Sequence, residues 1–173
     1  MTNFKEDLAR VKAFVFDIDG VLSLQTISLN AFGVPNRTVN LRDGYAIQLA
    51  VRKGYHVAVI SGSNAKEYIR RLKGLGVSDV YLNSRSKTEH FGNFCRKHDI
   101  DPSDVLYMGD DIPDYGVMKM AGIPVCPADA DSEIRNVASY ISDKRGGEGC
   151  VRDVIEQVMR LHDKWMDKDA FSW

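Results

Sequence analysis

The apolar run "KAFVFDIDGVL", Lys12 to Leu22, stops on two acids two positions apart, Asp17 and Asp19, and a glycine follows at once. Further along, "VISGS" ends on Ser61, Gly62 and Ser63, Lys87 follows Ser86, and "GDDIPD" carries Asp110, Asp111 and Asp114. Carboxylates gathered at one place repel one another unless a cation joins them, and a donor set made only of oxygens suits a hard ion such as Mg²⁺. Phosphoryl transfer uses the same parts: a metal, a fixed lysine and hydrogen-bond donors around the equatorial oxygens. On that reading Asp17 is the nucleophile. Each residue taken singly also has a plain role as turn-former, helix cap or surface charge. Those roles do not account for the ordered set of DxD, Ser-Gly, Lys and GDDxxD. "DIDG" opens like a calcium loop too, but its glycine comes two positions early and a strand precedes it.

Such residues need a scaffold that gathers the ends of separate strands. Short β-rich runs alternate with amphipathic stretches, the pattern of parallel strands joined by crossover helices. Strands are predicted at "KAFVFDI", "YHVAVIS", "DVYLN", "VLYMG" and "GIPVC". A helix over "DGYAIQLAVRKG" opens on Asp43 as its cap and stops at Gly54. Asn64 with Glu67 and Ser86 with Glu89 have capping-box spacing, and a last helix runs from Val151 to Lys164. The expected fold is α/β: a Rossmann-like three-layer sandwich around a mostly parallel sheet, one domain spanning residues 1–173. In an open sheet of this kind ligands sit beyond the carboxyl ends of the strands, where Asp17, Asp19, Ser61, Asp110 and Asp111 fall, with Asp114 one turn further on. Lys87 falls in the first turn of a helix, at the positive end of its dipole, and an anion nearby would explain it. Between Asp19 and Asp43, β-branched residues around "FGVPN" predict a projecting β-hairpin at about 22–41, with Gly33 and Pro35 near its tip.

Composition excludes several classes. The 173 residues carry 23 basic and 24 acidic side chains, a net charge of -1, so no global field draws the chain to nucleic acid or an anionic membrane. Cys95, Cys126 and Cys150 are odd in number and fit no metal spacing, which predicts reduced core thiols in a cytoplasmic protein. No apolar run approaches the roughly 18 residues that cross a bilayer, and the first residues are too charged for a secretory signal.

With these residues in view, the chain resembles a phosphatase of the haloacid dehalogenase superfamily. "DIDGV", "VISG", Lys87 and "GDDIPD" match its four motifs in order. The resemblance implies an aspartyl phosphate on Asp17, with Asp19 as general acid and base. Ser61 and Lys87 would hold the phosphoryl oxygens, supported by Gly62. Asp110, Asp17 and the backbone carbonyl of Asp19 would hold Mg²⁺, while Asp111 and Asp114 would act on its waters or orient Lys87. "VNLRDGYAIQLA", the early hairpin and "RGGEGCVRD" are similar to the small phosphatases acting on 3-deoxy-manno-octulosonate 8-phosphate, a precursor of bacterial lipopolysaccharide. Those relatives lack a cap domain, and here only 41 residues separate Asp19 from Ser61 and 22 separate Lys87 from Asp110. The resemblance also implies a homotetramer in which neighbouring subunits help close each site. The aromatic tail "WMDKDAFSW", 165–173, is expected to dock on a neighbour.

Two departures bear on the substrate. Relatives acting on the octulosonate ester commonly carry an arginine after the second motif, and a relative acting on a nine-carbon sialic-acid-type 9-phosphate a glutamate; this chain has Ser63. The Thr-Asp-Gly usual after the first motif is replaced by "LSLQ". A sugar acid needs cations for its carboxylate, and Arg42, Arg71 and Arg145 are the candidates, together with backbone N–H groups of Gly146, Gly147 and Gly149. A receiver domain would order its acids and lysine differently. A binding module of the same fold would have lost a catalytic acid, a dinucleotide enzyme would carry GxGxxG, and a mutase would need a lid.

Overall fold

The computed structural model describes residues 4–173. The alternation of side chains in the first strand, β1 (Ala13–Phe16), explains the layering. Phe14 and Phe16 point to one face of the sheet and Ala13 and Val15 to the other, and all four are fully buried. A strand buried on both faces needs helices on both. The face of Phe14 and Phe16 is covered by α2 (Leu41–Arg52), α3 (Lys66–Gly74) and α7 (Cys150–Leu161), through Ile47, Leu72, Val154 and Val158. The opposite face is covered by α4 (Lys87–His98), α5 (Tyr115–Met120) and α6 (Ser132–Val137), through Phe91, Phe94, Val117 and Ile134. A single turn, α1 (Phe4–Asp7), precedes the sheet.

The remaining strands are β2 (His56–Ile60), β3 (Asp79–Tyr81), β4 (Val105–Met108), β5 (Ile123–Cys126) and β6 (Tyr140–Ile141). They lie in the order β3-β2-β1-β4-β5-β6, and every pairing is parallel. The chain winds outward from β1 to β3, then returns to lay β4 against the other side of β1. That reversal opens a crevice at the carboxyl ends of β1, β2 and β4, the place where a doubly wound sheet holds ligands. The five strands expected from the sequence are all present, and β6, two residues long, is an addition.

Several local expectations change. Asn40, not Asp43, caps α2: its side chain accepts the N–H groups of Arg42 at 2.9 Å and Asp43 at 3.2 Å. Asp43 is buried and accepts the Arg152 N–H at 2.7 Å, which ties α2 to α7. Burial pushes its carboxyl up to about 6. The residue before α3 is Ala65, with no side-chain cap, so Asn64 does not act as one. Ser86 does cap α4, accepting the Glu89 N–H. The segment at 22–41 is an arm that carries the expected hairpin in short form, an antiparallel bridge between Leu29 and Pro35 flanked by the Asn30 N–H to Val34 carbonyl and Asn36 N–H to Ser28 carbonyl bonds at 2.9 Å each. Asn30 closes its tip by accepting the N–H groups of Phe32 and Val34, with Gly33 at φ +74°.

The aromatic tail also lies elsewhere than expected. It folds onto its own chain, where Tyr45 meets Trp165 and Trp173 edge-on at 6.1 and 5.6 Å and Arg152 stacks over Trp165 at 4.6 Å. Lys53 anchors it through Asp169 at 2.5 Å and through Asp167. All three cysteines are unpaired and buried. Among the described residues no helix is long and apolar enough to cross a membrane.

The glycine-rich loop after β6 packs backbone to backbone on the turn after β1. A Cβ on Gly146 would lie 1.9 Å from the Gly20 carbonyl oxygen, and no side-chain rotation relieves that clash. Its N–H donates to Asp129 at 2.9 Å and that of Gly147 to Val21 at 2.8 Å, so neither is free for an anion. Gly146→Ala is therefore expected to cost about 1–3 kcal/mol, the range of overpacking a rigid contact. A lowered urea midpoint would register it. Gly74→Ala is the control: a Cβ there meets nothing within 4 Å, and the midpoint should hold or rise slightly.

Candidate active site

The first strand delivers Asp17 to the crevice, and the backbone then turns away sharply. Gly20 adopts φ +80°, and a Cβ on it would fall 1.9 Å from Asp110 Oδ2, so only glycine allows the two loops to meet here. The turn is closed by the Gly20 N–H to Ser23 carbonyl bond at 3.1 Å and the Ser23 N–H to Ile18 carbonyl bond at 2.9 Å. Asp17 is buried, with Oδ1 accepting the Ile18 N–H at 2.6 Å and Oδ2 accepting Lys87 Nζ at 2.6 Å. Lys87 reaches in from the start of α4 and also donates to Asp114 Oδ1 at 2.7 Å.

At the end of β4 the chain turns back on Asp114. Its Oδ2 accepts the N–H of Asp110 at 3.2 Å, and its Oδ1 takes Lys87 and the Tyr107 hydroxyl. Gly109 makes room, since a Cβ there would sit 2.4 Å from the Asp114 side chain. Asp111 is exposed at the rim and accepts the Ile112 N–H at 2.8 Å. Asp110 is buried, and its carboxylate accepts no hydrogen bond from the described residues. Ser61 closes β2, its hydroxyl 2.9 Å from that of Ser63. Together these side chains line a cleft of about 250 Å³ that also includes Gly62, Gln25 and Pro113.

One carboxylate oxygen each from Asp17, Asp110 and Asp114 lies within 4.8 Å of the others. Burial pushes the Asp17 carboxyl up to about 7, with the Asp114 charge adding to it and Lys87 opposing. Burial likewise pushes Asp110 up to about 8, with Asp17 and Asp114 adding to it. Burial alone would lower Lys87, but the charges of Asp17 and Asp114 outweigh it and its pKa is raised. A site that holds acids this far above their ordinary range while leaving one without a hydrogen-bond donor fits a divalent cation. Asp114 takes Lys87, Tyr107 and the Asp110 N–H as donors, against one on each oxygen of Asp17, so Asp110, Asp17 and the Asp19 carbonyl, to which no backbone N–H of the described residues donates, are the oxygens with most capacity left for an ion.

Stability in chelator should follow from these shifts. Below the ordinary carboxylate range both acids are protonated whether the chain is folded or not, and stability is full. As pH rises through about 4 to 8 the folded protein holds protons that the unfolded chain has released, so stability falls over that window. Thermal melts in chelator between pH 4 and 8 would register the decline. A flat profile would rule out the electrostatic strain.

The sequence-predicted residues thus separate. Asp17, Asp19, Ser61, Gly62, Ser63, Lys87, Asp110, Asp111 and Asp114 all line the one cleft. The three arginines do not. Arg42 lies on a different groove with Lys144 and Arg152, and Arg145 is 65% exposed and paired with Asp129 at 3.5 Å. Arg71 lies beneath α2 against Gly44, its Nε and Nη2 buried without a partner among the described residues, as is Asp43 Oδ2. The cavity between them, about 20 Å³, has room for a single water. Two contributors were not foreseen. Tyr107, in mid-strand, carries no signal that separates it from a core residue. Arg37, on the arm, grips Asp19 with Nε at 2.8 Å from Oδ1 and Nη2 at 3.0 Å from Oδ2.

Comparison with known proteins agrees with this geometry. Residues 74–154 match the family model described as haloacid dehalogenase-like hydrolase. The 3-deoxy-D-manno-octulosonate 8-phosphate phosphatase KdsC of Escherichia coli K12 is 34% identical over 154 residues, 89% of this chain and 82% of its own. The crystal structure of the Yersinia pestis phosphatase of that name superposes with a TM-score of 0.90 at 30% identity, covering 94% of this chain and 88% of its own. That of Moraxella catarrhalis, solved with a magnesium ion, a phosphate ion and a KDO molecule, gives 0.87 at 30% identity and covers 92% of each chain. Identity of 34% sustained over most of both chains, with a solved structure of the same kind superposing at 0.90, establishes that this chain belongs to the haloacid dehalogenase-like hydrolases and is a phosphatase of that family.

Proposed function

We propose that the protein removes the phosphate from 3-deoxy-D-manno-octulosonate 8-phosphate, a step toward lipopolysaccharide precursors, with Mg²⁺ bound by Asp17, Asp110 and the Asp19 carbonyl. The observation that carries the chemistry is Asp17, fixed by Ile18 N–H and Lys87 at 2.6 Å each beside an Asp110 carboxylate with no donor of its own. The sugar is supported by the relatives matched over most of their length. Bound there, the ion supplies positive charge to the phosphoryl oxygens and offsets the repulsion among the acids.

Asp17 forms a bond to phosphorus as the bond to the sugar oxygen breaks, and Asp19 gives that oxygen its proton. Asp19 then takes a proton from water, whose oxygen attacks phosphorus; the bond to Asp17 breaks and inorganic phosphate leaves. Lys87, held by Asp114 and Asp17, faces the transferring oxygens with a fixed charge, and the Ser61 hydroxyl and neighbouring N–H groups complete their cradle. Asp114 positions Lys87 and does not touch the substrate. Phosphate release from the octulosonate ester, a nine-carbon sialic-acid-type 9-phosphate and simple hexose phosphates, each with Mg²⁺ and with chelator, tests the reading. Strong, metal-dependent preference for the octulosonate ester supports it. Preference for the nine-carbon ester would move the substrate and keep the chemistry, and no release from any would favour a binding module.

The arm supports a second element of the proposal. Leu29, Phe32, Val34, Val39 and Leu41 are all exposed, Phe32 at 91%, an apolar set that a lone subunit leaves in water. Assembly into a homotetramer would cover it. Light scattering is expected to give four times 19.4 kDa, and a single-chain mass would remove this element.

A further inference from the structure

Arg37 stands at the base of the arm on a well-anchored stretch of chain. Beside it the Thr38 N–H donates to Ser23 Oγ at 2.9 Å, Thr38 Oγ1 accepts the Leu24 N–H at 2.9 Å, and its carbonyl accepts the Tyr68 hydroxyl. From that base the guanidinium folds back onto Asp19, and Nη1 reaches Glu67 Oε1 at 2.5 Å. The Arg37 side chain is 5% exposed, while Asp19, on the cleft side of the pair, is 40% exposed. Both oxygens of Asp19 are therefore occupied by one planar fork. In that state the carboxylate is turned toward Arg37, with one lone pair of each oxygen committed to the guanidinium.

The cation that lines the cleft is Lys87, and it is held by Asp17 and Asp114. For a carboxylate arriving on the substrate, Arg37 stands one residue back from the cleft lining, paired to Asp19, which does line it. Asp19 already occupies that guanidinium in the bidentate geometry a carboxylate prefers.

We propose that the carboxylate of the substrate displaces Asp19 from Arg37, so that recognition of the acid group and release of the Asp19 carboxyl toward the leaving oxygen are one event, the freed carboxylate taking from solvent the proton it then gives to the leaving oxygen. This rests on the reading of the substrate as a sugar-acid phosphate. Exchanging one bidentate carboxylate for another keeps the secluded guanidinium paired. A neutral polyol phosphate offers no replacement, and freeing Asp19 would then leave Arg37 short of a partner where water reaches it poorly. Specificity for an acid thus arises from what frees Asp19, in a cleft whose lining has no arginine for the purpose.

A matched pair tests it: 6-phosphogluconate and glucitol 6-phosphate, which differ at the far carbon by a carboxylate against a hydroxymethyl group. Wild type is expected to favour the acid at least about tenfold in kcat/KM, the least that one charge-assisted hydrogen bond gained by the acid would give. In Arg37→Gln that preference should fall to about one, with kcat for the neutral ester raised because Asp19 is no longer held. Arg37→Lys keeps the charge without the fork, and its preference should lie between the two, which keeps the test usable if the glutamine variant folds poorly. Equal hydrolysis of the pair by wild type, a preference that survives in Arg37→Gln, or equal losses on both esters would overturn the proposal. The pair does not depend on the octulosonate ester. If that ester is not hydrolysed but the pair is discriminated through Arg37, the sugar is wrong and the exchange stands; if it is hydrolysed and Arg37→Gln leaves its kcat and KM unchanged, the exchange is wrong and the sugar stands.

Discussion

Asp17→Asn is expected to abolish phosphate release while leaving the fold intact. The amide matches the carboxylate in shape, so its oxygen can keep the Ile18 N–H that Oδ1 now accepts at 2.6 Å. It cannot form the phosphoryl bond, and its NH₂ group would face Lys87, which now donates to Oδ2 at 2.6 Å. On the scale of nucleophile removal in other enzymes the loss in kcat is roughly 10⁵- to 10⁶-fold. Stability changes less, because two effects oppose each other. Lys87 loses a partner, but Asp114 remains to hold it, and one of the buried acids that repel each other disappears. The urea midpoint should therefore stay close to that of wild type, and phosphate release assays with Mg²⁺ would read the rest. Near-normal turnover in a folded Asp17→Asn protein would show that the nucleophile lies elsewhere.

The strands and the acid set were legible because each is written locally. A strand buried on both faces is a short apolar run, and the run before Asp17 can be little else at that length. Strand-end acids then follow from where a doubly wound sheet opens, so DxD, Ser-Gly and GDDxxD could be assembled before any coordinates. The boundaries and caps were less so. Asp43 and Asn40 are equally good capping types three residues apart, and Asp43 is withdrawn because it bonds Arg152, more than a hundred residues later. Tertiary pairing of that kind has no local trace. The arginines misled for a related reason: a guanidinium on a long stem reaches several neighbours, and its sequence position fixes only the base of the stem. Arg71 is turned under a helix and Arg37 is turned into the site, yet neither differs in kind from a solvated surface arginine. The tail was expected on a neighbouring subunit, whereas its aromatics meet Tyr45 and Arg152 of the same chain.

Asp110→Asn should move stability in opposite directions with and without Mg²⁺. The carboxylate is buried, accepts no hydrogen bond from the described residues and fills the space a Cβ on residue 20 would need, and burial with the charges of Asp17 and Asp114 pushes it up to about 8. Asparagine has nearly the same shape and no charge. In chelator at pH 8 the variant is therefore expected to melt above wild type, and its stability should decline less between pH 4 and 8. Adding Mg²⁺ reverses the order. Wild type gains the binding free energy, about 2.7 kcal/mol at a hundred times the dissociation constant, and the variant, lacking the one strand-end acid with no competing donor, gains far less. Turnover should fall by about 10³-fold or more, the several kcal/mol that a bound ion contributes to a phosphoryl transition state. Paired melting curves with and without Mg²⁺ are the measurement, because they separate the ligand from its neighbours without using activity at all. If Asp110→Asn keeps the full Mg²⁺ shift, the ion is held by Asp114 instead, and the bonds from Lys87 and Tyr107 to that residue must open to admit it.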